Sequence, residues 1–412
     1  MKKKINGSLE STLKVLLYVL LIVFPLGVVV NIEIISSVRV YPVDVVLGLI
    51  FIVFVLVIII GKLNIFNFPL FKEMYLFIAI AFIALMINLQ GLGPQSFLVS
   101  LSYLLRIIIY SSLIFSIYLL GQGFSRRYLY SLSFSGFVFA VLGLVQYIFY
   151  PDLRNLYYLG WDKHFYRVFS TFLDPNFTGA IYVLEIILIL YLLFINLKNK
   201  KKVILLSILL LVVFSSLLLT YSRSTYVSFL FAVPAFFIIS NKRLLFGLTI
   251  LLFLFGLFLI PKNIKSEGVD LFRTNSVIER INSSKNAFII FKDSPFLGVG
   301  FNAYRYAQEK YGTLSGSNWE RTHSGAGVSN SFLFILATTG ILGFICYAVF
   351  WRKIFKTVLM MKYSGNETYF KSLILSSILA VFVHSLFENT LFYPFIMIWL
   401  FVLLGIMESK LR

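Results

Sequence analysis

The chain has 412 residues, of which 59% are hydrophobic and only 13% charged, whereas soluble domains are nearer half apolar and a quarter charged. Long apolar runs recur from end to end and exclude a soluble globular protein. The formal net charge of +19 fits basic cytoplasmic loops of a membrane protein better than binding to nucleic acid. The single cysteine, Cys346, excludes an intramolecular disulfide, and three histidines leave too few ligands for a His-rich metal site.

The apolar runs predict an all-α, polytopic integral membrane protein of about twelve transmembrane helices. We place the helices at residues 12–31, 40–60, 73–89, 97–119, 129–150, 175–195, 203–220, 225–240, 244–260, 329–351, 370–388 and 391–408. The first run follows the basic start MKKKINGSLE but is longer than the apolar region of a signal peptide, so we expect it to be a retained helix.

Lysine and arginine gather in every second link between the predicted helices. These links contain Lys62, Lys72, Arg126, Arg127, the cluster NLKNKKK, Lys242, Arg243 and the segment WRKIFKTVLMMK. Because cytoplasmic loops collect basic residues, the pattern predicts a multi-pass protein of the cytoplasmic (inner) membrane with both termini in the cytoplasm.

Two of the outward links are long. One spans residues 151–174, and the other, 261–328, is the only segment long enough to form a small extracytoplasmic subdomain. We therefore divide the chain into residues 1–260 with helices 1–9, the large loop 261–328, and residues 329–412 with helices 10–12. Arginines in such loops can simply lie on a solvated surface, but Arg223 occupies the very short link YSRST, which leaves a site role and a structural role equally open.

Arg106 lies well inside its predicted span, where a charged side chain costs about 2.5–3.5 kcal/mol on insertion scales unless it has a partner or a wet cavity. Glu185 lies at a similar depth and is the expected counter-charge. We favour a structural ion pair over a direct substrate contact. Asp44, near the outer end of its span, is expected to cap that helix or to line a cavity.

His384 and Glu388 are four residues apart in FVHSLFENTLF, which places both on one face if the segment is helical. A histidine and a carboxylate so placed can accept a proton from a substrate. The alternative, a hydrogen-bonded packing pair, is the reading we favour from the sequence.

Four blocks of the sequence stand out together, in order along the chain: RVFSTFLDPNFTG (167–179), LLTYSRSTYVSFL (218–230), ERINSSKNAFIIFKDSPFLGVGFNAY (279–304) and SNSFLFILATTGILGF (329–344). In this order and spacing they resemble the superfamily of O-antigen ligases and O-antigen (Wzy-type) polymerases. The last block departs from the family, which often has His-Asn where this chain has Ser329-Asn330. Because that histidine is a leading catalytic candidate in ligases, the departure favours a polymerase.

The resemblance implies that a glycan moves from a polyprenyl diphosphate at the outer leaflet to a hydroxyl group of an acceptor. Arg167, Arg223 and Arg280 fall on the family blocks and are the predicted diphosphate ligands, since guanidinium groups bind phosphate oxygens through two donors. We add Asn176, Asn330 and Arg106 as substrate-binding candidates. The candidate bases, in falling order of preference, are His323, Glu388 and His384. No cofactor and no metal ion is expected.

The leading hypothesis is a polymerase of lipid-linked oligosaccharide repeat units for capsule, exopolysaccharide or O-antigen. The alternatives are a ligase that moves finished glycan to a terminal acceptor and a flippase for lipid-linked oligosaccharide. A flippase would favour charges spread through the bilayer centre and two similar halves, and no internal repeat is visible. The implied partners are the lipid bilayer, the lipid-linked oligosaccharide, and the flippase and chain-length regulator of the same pathway, with no nucleic acid.

Overall fold

The computed structural model describes residues 7–35, 38–259, 267–271, 273–314, 327–361 and 365–411. Its helices and strands in chain order are α1 (Gly7–Val23), β1 (Ile32–Ile35), β2 (Val38–Val40), α2 (Pro42–Gly61), α3 (Phe71–Ile87), α4 (Leu89–Leu92), α5 (Pro94–Phe149), α6 (Pro175–Ile195), α7 (Lys200–Leu218), α8 (Arg223–Ile239), α9 (Arg243–Leu259), α10 (Asn275–Asp293), α11 (Tyr304–Lys310), α12 (Ser331–Leu359), α13 (Asn366–His384) and α14 (Pro394–Leu411).

Seven helical segments of this described part are long and apolar enough to cross a membrane, and α8 and α9 are shorter apolar helices. The predicted all-α polytopic membrane fold is therefore confirmed. Each of the twelve predicted spans falls on a helix or on one half of a broken helix. The first span ends early, at Val23, because Pro25 and a left-handed Gly27 (φ 59°) turn the chain toward the β1–β2 hairpin, which the sequence does not predict.

The 56-residue helix α5 contains two predicted spans and reverses between them. Gly121 breaks it with φ 75° and ψ −176°, a conformation that glycine adopts without a steric penalty. Arg106 in the first half lines the same cavity as Arg167, and Gln146 in the second half donates a hydrogen bond to the carbonyl of Arg167. A straight helix would put Arg106 and Gln146 about 60 Å apart, so the chain must turn back at Gly121.

We number the links between the predicted spans in chain order, so that link 1 joins the first and second spans. The odd-numbered links, which the sequence predicts to face outward, meet at one end of the bundle, where hydrogen bonds join them. These bonds run from Val28 N to Thr171 O (2.9 Å), Val168 N to Leu219 O (2.8 Å), Ser331 N to Ser385 O (2.9 Å) and Asn88 Nδ2 to Gly298 O (3.1 Å). At the other end, Gln122 donates to the carbonyl of Lys410, whose ammonium pairs with Glu367. The basic even-numbered links therefore lie at the end opposite the joined odd-numbered links.

The expected ion pair between Arg106 and Glu185 is wrong. Arg106 Nε lies 2.9 Å from Asp44 Oδ1, and Tyr110 also donates to that carboxylate at 2.7 Å. Glu185 instead accepts a hydrogen bond from Ser133 at 2.6 Å. The physical reason is the reversal of α5, because Arg106 on its first half faces α2, while Ser133 on its second half faces α6.

Asp44 caps α2, as the sequence predicts. Its carboxylate accepts the backbone N–H of Tyr41, the residue before the first helical position, at 2.8 Å. The same side chain holds Arg106, so one carboxylate satisfies a helix end and a charge inside a span.

Candidate functional site

A cavity of about 890 Å³ opens at the end of the bundle where the odd-numbered links meet. Aromatic rings of Tyr41, Phe177, Phe392 and Tyr393 line it, and Tyr393 stacks on Phe177 with ring centroids 4.0 Å apart. Charged side chains from five separate segments line the same space. Such a mixture suits a ligand with a polar, anionic part and an apolar part.

The PFLGVG segment fixes the position of α10, which carries Arg280, by inserting into a break in α12. Gly340 interrupts α12 with φ 64° and ψ −168°, which frees backbone groups on both sides of the break. Val299 N and Gly300 N donate to the carbonyls of Ala337 and Thr338 at 3.0 and 3.1 Å. In return, Ile341 N donates to Pro295 O at 2.8 Å. Because its backbone N–H groups donate to carbonyls of α12, the PFLGVG segment acts as a clamp between α10 and α12. Those N–H groups are not free to bind phosphate.

Arg280 and Glu388 form an ion pair within the cavity lining. Arg280 comes from α10, and Glu388 lies in the segment between α13 and α14. Their side chains are 22% and 16% exposed, so both retain access to a ligand. Burial raises the pKa of Glu388 to about 7 against the opposing effect of Arg280. A carboxyl with that pKa can accept and release a proton near neutral pH.

Arg167 supplies a buried positive charge to the cavity wall and is only 4% exposed. Its Nε donates to Thr220 O at 2.8 Å and its Nη2 to Tyr221 O at 3.3 Å. Burial and the neighbouring charge of Arg273 lower the pKa of Arg167 to about 9, so it stays a cation at neutral pH. Arg167 therefore offers the cavity mainly its positive charge, because carbonyls occupy part of its donor fork.

Arg223 is not among the residues that line the cavity. Its Nη1 donates to the carbonyl of Arg273 at 2.7 Å, and its Nη2 donates to Ser276 Oγ at 2.5 Å. Arg273 and Ser276 both line the cavity. Arg223 thus supports the segment that leads into α10, and its charge interacts with that of Arg280 although it does not line the cavity.

The two asparagine candidates have different positions. Asn176 lines the cavity, and its side-chain oxygen accepts a hydrogen bond from Ser222 at 2.7 Å. Asn330 is the N-cap of α12, where its side chain accepts the N–H groups of Phe332 and Leu333 at 2.9 and 3.1 Å. Asn330 therefore starts a helix and does not line the cavity. The third candidate, Arg106, does line the cavity while paired with Asp44.

The predicted pair of His384 and Glu388 side chains on one helical face is not formed, because α13 ends at His384. His384 is fully buried, with Nδ1 at 2.7 Å from Thr390 Oγ1 and Nε2 at 3.3 Å from Ser224 Oγ. It does not line the cavity, whereas Glu388 does. His323, the first-ranked candidate base, lies outside the described residues.

Several cavity residues are missing from the sequence-based selection of site residues, among them Arg273, Arg305 and His164. Arg273 and Arg305 line the cavity, but neither stood out from the other basic residues of the outward loops. His164 also lines it, on the first long outward link, and its 8% exposure marks it as buried. Only the richness of that link in charged and aromatic residues could have indicated His164.

His164 also belongs to a group with metal-ligand chemistry. Asp162, His164 and Asp174 place potential ligand atoms within 4.8 Å of one another, although the sequence predicts no metal site. Asp174 Oδ1 is already used as the N-cap of α6, where it accepts the N–H of Asn176 at 2.6 Å. Burial first, and then the charges of Arg167 and Arg273, hold the pKa of His164 well below its usual range. The two arginines oppose a further cation, whereas the carboxylates of Asp162 and Asp174 would attract one.

Comparison with protein families gives one match. Residues 208–348, about a third of the chain, match the family model described as O-antigen ligase. The matched range includes α8, the large loop with α10 and α11, and the first part of α12. It confirms the resemblance indicated by the sequence blocks. No curated protein matches the chain significantly.

Proposed function

Because residues 208–348 are similar to the O-antigen ligase family, we propose that this chain polymerises oligosaccharide repeat units carried on polyprenyl diphosphate. The products would be capsule, exopolysaccharide or O-antigen. The observation that carries the proposal is the Arg280–Glu388 ion pair, which places a strong anion ligand and a titratable carboxyl together in the cavity.

The reaction needs a base and a stabiliser for the leaving group. Glu388 takes the proton from the acceptor hydroxyl, and the oxygen attacks the anomeric carbon of the donor glycan. The bond from that carbon to the phosphate oxygen breaks, and its electron pair stays on the lipid diphosphate. Arg280 binds the diphosphate through its guanidinium fork, and Arg167 adds a fixed charge from the wall.

The lining of the cavity supports an amphiphilic glycolipid as substrate. Tyr157, Tyr158 and Trp161 on the first long outward link line the cavity, and the two tyrosines are 59% and 72% exposed. Exposed aromatic rings can stack on the apolar faces of sugars. The polyprenyl chain remains in the bilayer, so the site needs to enclose only the diphosphate and the adjoining sugars.

The direction of the cavity supports transfer at the outer face of the cytoplasmic membrane. The cavity lies at the end of the bundle opposite the basic even-numbered links, which the positive-inside rule assigns to the cytoplasm. We therefore propose that both termini are cytoplasmic and that residues 261–328 form the extracytoplasmic loop between two groups of spans. Lipid-linked substrate then arrives from a flippase, and a chain-length regulator acts on the product.

A ligase is the second candidate, favoured by the description of the matching family. Ser329 stands at the position where the ligase pattern has a histidine, and it lines the cavity. That difference supports the polymerase.

Deletion of the gene separates the two candidates. Loss of a polymerase leaves single repeat units on the terminal acceptor, whereas loss of a ligase leaves long glycan on the lipid carrier. A deletion strain that accumulates long lipid-linked glycan would reject the polymerase.

A further inference from the structure

His164 has a hydrogen-bonding group that none of the described residues satisfies. Its side chain is buried against the cavity, and Nε2 has no hydrogen-bond partner in the described part of the chain. The backbone around it is fixed, since the carbonyl of His164 accepts the N–H of Leu153 at 2.9 Å. A buried polar atom without a partner calls for one from outside the described chain, and His164 lines the cavity in which a ligand would lie.

The contact of the other ring nitrogen, Nδ1, determines which tautomer His164 adopts. Nδ1 lies 3.5 Å from Nη1 of Arg167, and a guanidinium can only donate. Nδ1 must therefore be the acceptor, which puts the single proton of a neutral imidazole on Nε2. Burial, Arg167 and Arg273 all favour that neutral form. The unpartnered atom is thus an N–H donor.

Two kinds of ligand could approach Nε2 of His164. One is a metal ion held together with Asp162 and Asp174, and the other is an anion beside Arg167. A metal ion would need Nε2 without its proton and would move that proton to Nδ1, against the guanidinium of Arg167. It would also lie near the guanidinium groups of Arg167 and Arg273, which line the same cavity as Asp162 and Asp174. An anion needs neither change, because a neutral N–H donor adds to the attraction of the guanidinium.

We propose that His164 donates its Nε2–H to the diphosphate of the lipid-linked substrate. This inference rests on the proposed function and adds a ligand that the family blocks do not contain. As the anomeric carbon–oxygen bond breaks, the electron pair moves onto the diphosphate, and the hydrogen bond from Nε2–H to the diphosphate strengthens while His164 keeps its proton. A neutral donor of this kind stabilises developing negative charge without protonating the leaving group.

The chain has only three histidines, so ¹⁵N-histidine spectra of the full-length protein in lipid nanodiscs can test the proposal. His164→Gln assigns the His164 signals by their loss. We expect a neutral, Nε2-protonated ring whose N–H proton resonance shifts downfield when undecaprenyl diphosphate is added. In the protein without undecaprenyl diphosphate, one equivalent of Mn²⁺ should not broaden the His164 signals. A His164 signal that ignores bound undecaprenyl diphosphate, or that Mn²⁺ bleaches, overturns it.

Binding of undecaprenyl diphosphate to variants gives a second measurement. His164→Phe should weaken binding about tenfold or more, the usual effect of losing a hydrogen bond to a charged group. His164→Gln, whose amide can also donate, should recover most of the affinity. Phe165→Leu is the matched control, since Phe165 lies against Arg154 and does not line the cavity. Unchanged binding by His164→Phe would also overturn the proposal.

Failure of the proposed function would look different. Wild-type protein that binds undecaprenyl diphosphate through His164 but forms no glycosidic bond would reject the polymerase and leave the His164 contact standing. Normal glycan transfer with an unresponsive His164 would reject only the contact.

Discussion

Arg280 on α10 and Glu388 in the segment after α13 form an ion pair, although they are 108 residues apart in the sequence. The clamp between residues 295–300 and the break at Gly340 fixes α10 against α12. Ser331 at the start of α12 donates to the carbonyl of Glu388 at 3.1 Å. One helix, α12, thus connects the cation and the carboxyl that the proposed transfer requires.

Replacing Glu388 with Gln should lower the rate of glycan transfer by about 10²–10⁴-fold, because the amide cannot take the proton of the acceptor. Glu388 accepts a proton only when ionised, so wild-type activity should rise with pH around its pKa of about 7 and fall below it. Rates measured from pH 5 to 9 check both points. Glu279→Gln is the control, since Glu279 lines the same cavity one residue before Arg280. Equal rates for Glu388→Gln and wild type would exclude Glu388 as the base.

Replacing Arg223 with Ala should impair transfer by loosening the segment around Arg273 and Ser276, which Arg223 holds through two hydrogen bonds. Arg223→Lys should also be impaired, because a single ammonium cannot reproduce the fork. Hydrogen exchange of residues 267–280 separates this role from direct binding. Faster exchange is expected in Arg223→Ala. Unchanged exchange together with lost diphosphate binding would instead make Arg223 a ligand.

Removing the carboxylate of Asp44 should destabilise the protein by about 3–5 kcal/mol, because Arg106 would remain buried without its partner. Arg106→Gln combined with Asp44→Asn should recover part of that loss. Thermal unfolding in detergent measures the free-energy changes. Glu185→Gln should have a much smaller effect, since its partner is the neutral Ser133. A coupling energy between Arg106 and Glu185 in a double-mutant cycle would contradict the observed pairing.

Gly298→Ala should destabilise the fold by about 2 kcal/mol or more. Gly298 has φ +64°, and an added Cβ would lie 2.5 Å from the backbone of Thr338 within the clamp. Gly247→Ala is the control, because nothing lies within 4 Å of a Cβ at that position. The melting temperatures of the two variants in the same detergent provide the comparison. If both melt like wild type, the clamp does not contribute to stability.

The sequence predicts the helices well because apolar length and the alternation of basic links are local signals. It predicts that residues 167–179 and 279–304 carry site residues, and Arg167 and Arg280 do line one cavity. The sequence does not predict side-chain partners that depend on how the membrane-spanning helices pack together. The pairing of Arg106 with Asp44 follows from the reversal at Gly121, which no charge pattern reveals.

Glu388 and His384 show the same limit on a smaller scale. Their spacing suggests a shared helical face, but α13 ends between them, so one side chain lines the cavity and the other is buried against Ser224 and Thr390. His164 does not stand out within its aromatic and charged link, because its significance depends on an unpartnered ring nitrogen and on the contact of the other nitrogen with Arg167, three residues later.

Reaction of the purified protein with a polyprenyl-diphosphate-linked oligosaccharide, with the products sized on a gel, tests whether guanidinium groups in the cavity drive glycan transfer. Wild-type protein should produce a ladder of longer glycans and free lipid diphosphate, and Arg280→Ala should produce none while remaining folded. Lys292→Ala, on the same helix but outside the cavity lining, should match wild type. A full ladder from Arg280→Ala, or no new glycosidic bonds from wild type, would contradict the proposal.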